Sequence, residues 1–358
     1  MHSTLECLFL LEVAMEITTD SGRARFSLAR GIKQILSLPV LGALHLLDVI
    51  VGSLERLIGH KRMPYLFVLP NMLIFFIFVL LPLILNFLFA FTGGSSIVPE
   101  NRTWVGMGNF ERLFDCVDIT DVSTCREDVF FFAVRNTFLF VIVEVPSMIV
   151  LALLVALALN RDIRLRGFFR SAFFFPVLLS PVVVALIWKW MLQTRGGLIN
   201  TLLGFFGVEP IAFVLDGGWM MFWAIFVSIW AQLGFYALIL LAGLQGIPPV
   251  LYEAAEIDGA SELQRFWKVT LPLLRPTLLV VLVLTLIRGV QMFDHVYVLT
   301  GGGPGTATVL TVQYIYRTAF EPPNNWGMAA AVSLMLAAVL AVLTIIQLIL
   351  NRRQTESL

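Results

Sequence analysis

Residues 248–272 read PPVLYEAAEIDGASELQRFWKVTLP, and this stretch carries the strongest structural signals in the chain. Proline is tolerated in the first turn of a helix, so Pro248 and Pro249 indicate a helix start. The residues from 250 to 258 are good helix formers and continue that helix. Gly259 suits the position just after a helix end, where the backbone needs a positive φ. The first half of the stretch therefore predicts a short helix closed by a glycine corner.

The second half of the stretch predicts another short helix. Ser261 and Gln264 form a capping box, in which each side chain bonds the backbone N–H of the other residue. The predicted helix carries Phe266 and Trp267 and is expected to end before Leu271. Physical reasoning alone leaves two interpretations open: a compact knob that a partner recognises, or an ordinary amphipathic connection between two larger elements.

The flanking sequence is too apolar for a soluble protein. The 358 residues are 59% apolar and 13% charged, with a mean hydropathy of +0.90, whereas an ordinary soluble domain has about 25% charged residues. A helix needs roughly 20 apolar residues to cross the hydrocarbon core of a membrane. Six stretches meet that requirement: 65–91, 137–159, 168–192, 218–243, 276–298 and 327–350. The predicted fold class is all-α, a polytopic membrane protein with six transmembrane helices.

Composition also excludes several functions. The 24 basic and 24 acidic side chains cancel, whereas a nucleic-acid-binding protein needs a basic surface. Three cysteines are too few for a disulfide scaffold or a cysteine-based zinc cluster. The four histidines are scattered and form no His-x3-His pair, which argues against a metal enzyme.

The distribution of Lys and Arg predicts the orientation, because these residues concentrate in cytoplasmic segments. With the residues before the first span placed inside, sixteen basic residues fall on the cytoplasmic side and seven on the outer side. Both termini are therefore predicted to be cytoplasmic. The loop at 248–275 lies between the fourth and fifth spans, on the same side.

The chain divides into three predicted parts: a cytoplasmic extension at 1–64, a membrane domain at 65–350 and a cytoplasmic tail at 351–358. Within the extension, the apolar run at 35–52 is interrupted by polar residues and flanked by basic ones. We interpret it as an amphipathic helix that lies on the cytoplasmic leaflet. A seventh span is the alternative, but it would disturb the charge asymmetry.

The loop at 248–275 resembles the EAA loop of the permease subunits of binding-protein-dependent ABC importers, which have the MetI-like fold. The family pattern is Glu-Ala-Ala, three residues, Gly, nine residues, Ile, one residue and Leu-Pro, and here Val269 stands at the Ile position. The resemblance extends from about Tyr65 to Leu350 and implies that the loop docks into a cleft on a separate ATPase. It implies these coupling residues: Glu253, Ala254, Ala255, Asp258, Gly259, Leu271 and Pro272.

Three further segments are similar to the carbohydrate-importing branch of that family, the maltose and glycerol-phosphate type: 104–110, 293–304 and 314–320. The resemblance implies an importer of a sugar or sugar-like solute in the cell membrane. Its implied partners are a second permease, two ATPases and an extracytoplasmic solute-binding protein. No Walker A sequence occurs in the chain. ATP and Mg²⁺ are therefore expected on the ATPase, and this chain is expected to bind no cofactor and to be no enzyme.

The solute path is predicted along the fifth span. Positions 285, 288, 289 and 292 follow i, i+3, i+4, i+7 spacing and therefore share a helix face. This segment also resembles the region in which carbohydrate permeases contact sugar. Two polar residues lie beside this face, and one acidic residue of the second span is added to them. The candidate solute-path residues are therefore Thr285, Arg288, Gly289, Gln291, Met292, Asp294 and Glu144. Two alternatives remain: packing against the partner permease, and a Glu144–Arg288 pair that holds the helices in register.

Cys116 and Cys125 both lie in the long outer loop after the first span. An oxidising compartment permits a disulfide between them, and two unpaired thiols are the alternative.

Three other functions account for parts of the sequence. An ion-coupled secondary transporter is expected to show inverted repeats and coupling acids near the midplane; Glu144 and Asp294 are available, but the sequence has no repeat. A membrane-embedded enzyme lacks a catalytic constellation. An ABC permease for a non-sugar solute is the third possibility.

Overall fold

The computed structural model describes the following residues: 59, 61, 63–118, 121–162 and 164–355. The predicted interfacial helix at 35–52 lies outside these residues, as does the rest of the extension before residue 59. The described residues fall into two compact units, one that ends at Pro82 and one that begins at Leu83.

The first apolar stretch forms helix α1 (Met63–Phe75), a π turn (Phe76–Leu80) and helix α2 (Leu81–Ala90). The part from Phe67 to Ala90 is long and apolar enough to cross a membrane, in agreement with the first predicted span.

The chain after α2 forms a small cross-braced region that we call the hairpin segment, residues 92–127. Strand β1 (Thr92–Gly93) pairs antiparallel with β2 (Thr103–Trp104), and helix α3 (Gly108–Leu113) follows. A disulfide joins Cys116 to Cys125. Two short 3₁₀ turns complete the segment, at Pro99–Asn101 and Val122–Thr124.

Two long helices form the centre of the second unit: α4 (Asp128–Asn160) and α8 (Gly217–Gln245). Small side chains on α4 allow close packing, and the core they share with α8 includes Ala152, Ala156, Ala237 and Leu240. Both helices are long and apolar enough to span a membrane, as the second and fourth predicted spans require.

The third predicted span is wrong as a continuous helix. The chain forms α5 (Arg166–Phe174), a 3₁₀ turn (Phe175–Leu178) and α6 (Pro181–Met191), and the two halves meet at 98°. Proline lacks an N–H and pushes the residue before it out of the helical region, and Ser180 accordingly has ψ 133°. The described residues therefore contain five helices that are long and apolar enough to span a membrane, or six if this bent pair is counted as one span.

The fifth predicted span begins earlier and ends earlier than expected. Helix α9 (Pro249–Ile257) precedes α10 (Glu262–Arg265), which continues through a π turn (Phe266–Thr270) into α11 (Leu271–Val290). The helix stops at Val290 and not at residue 298. The chain restarts as α12 (Asp294–Thr300), whose first turn carries an acidic side chain suited to a helix start.

The remaining helices complete the second unit: α7 (Leu198–Phe205), α13 (Thr311–Phe320) and α14 (Trp326–Thr355). Helix α14 packs against α13, α11, α3 and β1, and Gly327 allows its closest approach to the hairpin segment. A Cβ atom at this position would lie 2.3 Å from the carbonyl oxygen of Thr92.

Candidate coupling surface and solute path

The glycine corner predicted between the two short helices is present. Helix α9 begins at Pro249, and Gly259 follows its end with φ +74°. The N–H of Gly259 donates to the carbonyl of Glu256 at 3.0 Å, and the N–H of Ala260 donates to that of Ala255 at 2.9 Å. These two bonds are those of a Schellman motif, which closes a helix and needs a left-handed residue. The corner is fixed by its own local sequence.

The capping box predicted after the corner is also present, with Ser261 and Gln264 each bonded to the other's backbone N–H. The second helix does not end before Leu271, as predicted, but runs on into the membrane helix. Pro272 has no N–H to donate, and the π turn just before it changes the bonding so that Leu271 N–H reaches the carbonyl of Phe266. The helix therefore passes a proline without breaking.

Two side-chain contacts hold the two halves of this loop together. The hydroxyl groups of Tyr252, on α9, and Thr270, at the start of α11, lie 3.0 Å apart. A guanidinium nitrogen of Arg265 donates to a carboxylate oxygen of Glu256 at 3.2 Å. The two contacts join α9 to the part of the chain that leads into α11.

A third contact links the loop to α4, and the sequence analysis missed it. Arg161, at the cytoplasmic end of α4 in the predicted orientation, donates to Glu262 at 3.1 Å. The two residues are 101 positions apart, and no local pattern relates them. Together with Leu157 and Phe266 they line a groove of about 670 Å³ between α4, α8 and the loop.

The loop presents apolar side chains to solvent. Val250 and Ile257 on α9 are exposed, Ile257 by 87%, and so are Leu263 and Trp267 after the corner. Glu253 is exposed beside them. We call this set the coupling surface: Val250, Glu253, Ile257, Gly259, Leu263 and Trp267. A cluster of exposed apolar residues with a polar rim is typical of a protein–protein contact.

The predicted solute-path residues separate into two groups. Thr285, Gly289 and Met292 are buried inside the chain, and the Thr285 hydroxyl donates to the carbonyl of Val281, one turn earlier, at 2.8 Å. Arg288, Gln291 and Asp294 are exposed. Because α11 ends at Val290, Met292 does not continue the helix face predicted for it.

Glu144 lies where α4, α8 and α11 meet and is 3% exposed. Its Oε1 accepts a hydrogen bond from Ser228, on α8, at 3.2 Å. Its Oε2 has no hydrogen-bond partner and lies where a side chain at Gly289 would begin, 3.0 Å from that Cβ position. Ser228 was missed by the sequence analysis because nothing in its own neighbourhood indicates a carboxylate partner.

The alternative of a Glu144–Arg288 ion pair is not realised in this structure. Among the described residues, ion pairs within 4 Å join other residues, and neither of these two takes part in one. Tyr236, on α8, lies within electrostatic range of both.

Residues 132–356 match the family described as "Binding-protein-dependent transport system inner membrane component". The chain belongs to this family. It is therefore a multi-pass permease component of the inner membrane, and the resemblance inferred from the EAA loop is confirmed.

Curated relatives cover most of the permease. It is 32% identical over 293 residues to "Probable ABC transporter permease protein YurN" of Bacillus subtilis, and the match covers 81% of this chain and 96% of the relative. It is 34% identical over 293 residues to "Trehalose/maltose transport system permease protein MalF" of Thermococcus litoralis, covering 81% and 94%. The identity to "Lactose transport system permease protein LacF" of Rhizobium radiobacter is 33%, covering 79% and 92%.

The permease is also similar to solved structures. A chain of a bacterial ABC transporter that imports the acidic polysaccharide alginate matches it with a TM-score of 0.67 and 25% identity. The match covers 84% of this permease and 99% of that chain. A second structure of an alginate ABC transporter, in complex with an alginate pentasaccharide-bound periplasmic protein, gives a TM-score of 0.69, 25% identity and coverage of 84% and 97%.

Proposed function

We propose that this permease carries a sugar or sugar-like solute inward, driven by ATP that a separate ATPase hydrolyses. Its partners in this proposal are a second, related permease, two ATPases and an extracytoplasmic solute-binding protein. The observation that carries the proposal is the coupling surface, because its exposed apolar side chains surround a corner that is continuous with a membrane helix. ATP and Mg²⁺ are bound by the ATPase in this scheme, and this chain holds neither.

The coupling residues have distinct parts in the proposal. Ala254 and Ala255 have small side chains, which allow a partner to approach α9 closely near the corner. Glu253 and Asp258 supply exposed polar groups at the rim of the coupling surface. Gly259 sets the angle between the two helices and leaves open space where a side chain would begin. Leu271 and Pro272 form the first turn of α11, into which the movement passes.

The solute class is supported by the named relatives, which transport trehalose and maltose in one case and lactose in another. Within this chain, Arg288, Gln291 and Asp294 supply exposed groups that donate and accept hydrogen bonds, as sugar hydroxyls require. Thr285, Gly289 and Met292 form the wall behind them. We assign the solute path to this exposed side of α11.

Transport then follows from two states of the permease. ATP binding closes the ATPase pair, the docked loop moves, and α11 moves with it because no break separates them. The path opens to the outside and takes solute from the binding protein, and ATP hydrolysis restores the inward-facing state. The ATPase biases the equilibrium because it binds the two states differently.

The test is to purify the complete complex with its binding protein, in lipid nanodiscs, and to measure ATP hydrolysis with a panel of solutes. A mono- or oligosaccharide is expected to stimulate hydrolysis several-fold, and amino acids, peptides and inorganic ions are expected to have no effect. Stimulation by one of those other solutes alone would reject the sugar assignment. Failure of an ATPase to co-purify would reject the coupling scheme.

A further inference from the structure

Two opposite charges in the membrane-spanning part of the second unit have no ionic partner among the described residues. Glu144 is buried with one carboxylate oxygen unbonded, and Arg288 is exposed on α11. An ionisable group within a membrane helix costs free energy unless it is paired or hydrated. Both residues stand at the contact of α4 with α11, since Gly289 lies against the Glu144 carboxylate. The two charges are close in the fold but face different directions.

Helix α11 carries two parallel stripes that are displaced by one residue. The stripe packed inside the chain consists of Leu274, Val281, Thr285 and Gly289. The exposed stripe consists of Leu273, Val280, Leu284 and Arg288. One residue corresponds to a turn of about 100°. A rotation of α11 by that amount exchanges Leu for Leu and Val for Val in the first two pairs and Thr285 for Leu284 in the third. It brings Arg288 to the position of Gly289, against Glu144.

The ends of α11 permit such a rotation. At its start the π turn Phe266–Thr270 joins it to the coupling loop without a break, so a movement of the loop can turn the helix, and π turns are common at functional sites in helices. At its other end the helix stops at Val290, three residues before α12. A Cβ atom at Gly289 would meet the flexible end of the Glu144 side chain at 3.0 Å and the side chains of Val141 and Val145 at 3.4 and 3.6 Å, so these three side chains shift when Arg288 enters.

We propose that Glu144 and Arg288 are positioning residues that form an ion pair in the second state of the transport cycle. In the structure described here Arg288 remains exposed on the solute-path side. In the second state, rotation of α11 withdraws Arg288 from the path and pairs it with Glu144. The inference rests on the proposed function, since it needs a loop moved by an ATPase, but it does not depend on which solute is carried.

The test uses two cysteine pairs that respond in opposite directions. In a Cys7→Ser background, Glu144→Cys is combined either with Gly289→Cys or with Arg288→Cys, and each complex is treated with a short bifunctional thiol reagent. Cross-linking is measured in the nucleotide-free complex and in the complex trapped with ATP and vanadate. Trapping is expected to lower the yield of the first pair and raise that of the second, each by about threefold or more.

Equal yields in the two nucleotide states, for either pair, overturn the inference. This readout needs no transported solute, so an error in the sugar assignment leaves it unaffected. Conversely, a sugar-stimulated complex whose cross-links do not change would retain the proposed function and lose only the ion pair.

A second measurement does not depend on cysteines. Glu144→Gln and Arg288→Gln keep the size of each side chain and remove its charge, and ATP hydrolysis stimulated by the binding protein is measured for both and for the double variant. If the residues act as a pair, the double variant is no slower than the slower single variant. Losses that multiply, with complexes assembled in normal yield, show independent roles and overturn the pairing.

Discussion

The coupling loop and the hairpin segment are built in opposite ways. The corner of the loop is formed by backbone bonds between residues only a few positions apart, the Schellman motif after α9, and the loop leaves its apolar side chains exposed. The hairpin segment is held by part-buried side-chain hydrogen bonds of Arg102 and by the disulfide, and it also packs against the distant helix α14. A locally determined shape with an open surface can bind a partner and move. A cross-braced shape resists movement.

The largest effect is expected at the corner of the loop. Gly259→Asp places a side chain at φ +74°, which costs about 1–2 kcal/mol, and adds a charge to the coupling surface. ATPase binding and uptake should fall about tenfold or more, while the spans insert normally. Co-purification of the ATPase and solute uptake measure this.

The matched control for that variant is Gly207→Asp. Gly207 has φ +75° and also has nothing within 4 Å of its Cβ position, but it follows α7, away from the loop. Equal losses in the two variants would mean that the corner matters only through backbone strain.

The hairpin segment should respond to overpacking with a loss of stability. Gly327→Ala forces a Cβ against the backbone of Thr92, at a cost of about 1–3 kcal/mol. The Tm of the purified complex should fall, while the surviving complex keeps its ATPase. Gly204→Ala is the control, because nothing lies within 4 Å of that Cβ position; a similar fall in both would contradict the packing argument.

A smaller loss is expected when the polar bracing is removed. Arg102→Gln removes the part-buried guanidinium hydrogen bonds to the Thr92 hydroxyl and to the carbonyls of Thr92, Gly94 and Ser96, which together contribute about 1–3 kcal/mol. Arg126→Gln breaks only an exposed pair with Asp115 at 3.8 Å and should leave the Tm unchanged. A thermal-unfolding comparison decides the point, and equal Tm values for the two variants would remove Arg102 from the bracing.

The smallest effect is expected at the contact between the loop and α4. The Arg161–Glu262 pair is more than 70% exposed on both sides, so its loss should not change the Tm. Arg161→Gln should reduce the stimulation of ATP hydrolysis by the binding protein about twofold, because α4 and the loop then move less closely together. Arg164→Gln, an exposed neighbour, is the control, and identical stimulation in both variants would show that the pair transmits nothing.

These two regions also explain which features the sequence predicted. Gly259, Ser261 and Gln264 were predicted because each signal lies within a few residues of its structural consequence. The continuation of α10 past Pro272 was missed, since a proline normally marks a boundary and the compensating π turn has no sequence signature.

The membrane helices show the same division between local and distant causes. Hydropathy predicts all six apolar stretches, but it contains no information about the direction of a helix axis. It therefore does not predict the 98° bend before Pro181. Arg161 and Ser228 bind partners at sequence distances of 101 and 84 residues. The sequence indicates Glu144 as a candidate site residue because a charge inside a membrane helix costs free energy. The residues that surround Glu144 could not be predicted, because they are brought together by the packing of three helices.

The unbroken helix from Glu262 to Val290 also determines how far the coupling surface stands from the bilayer. Its 29 residues rise about 1.5 Å each, or about 43 Å in all. With Val290 level with one edge of a hydrocarbon layer about 30 Å thick, roughly 13 Å of helix projects beyond the other edge, farther than the lipid head groups extend. The glycine corner therefore lies in water, beyond the lipid head groups. A docked ATPase can move the corner without contacting lipid, so the lipid head groups have little influence on the binding of the ATPase.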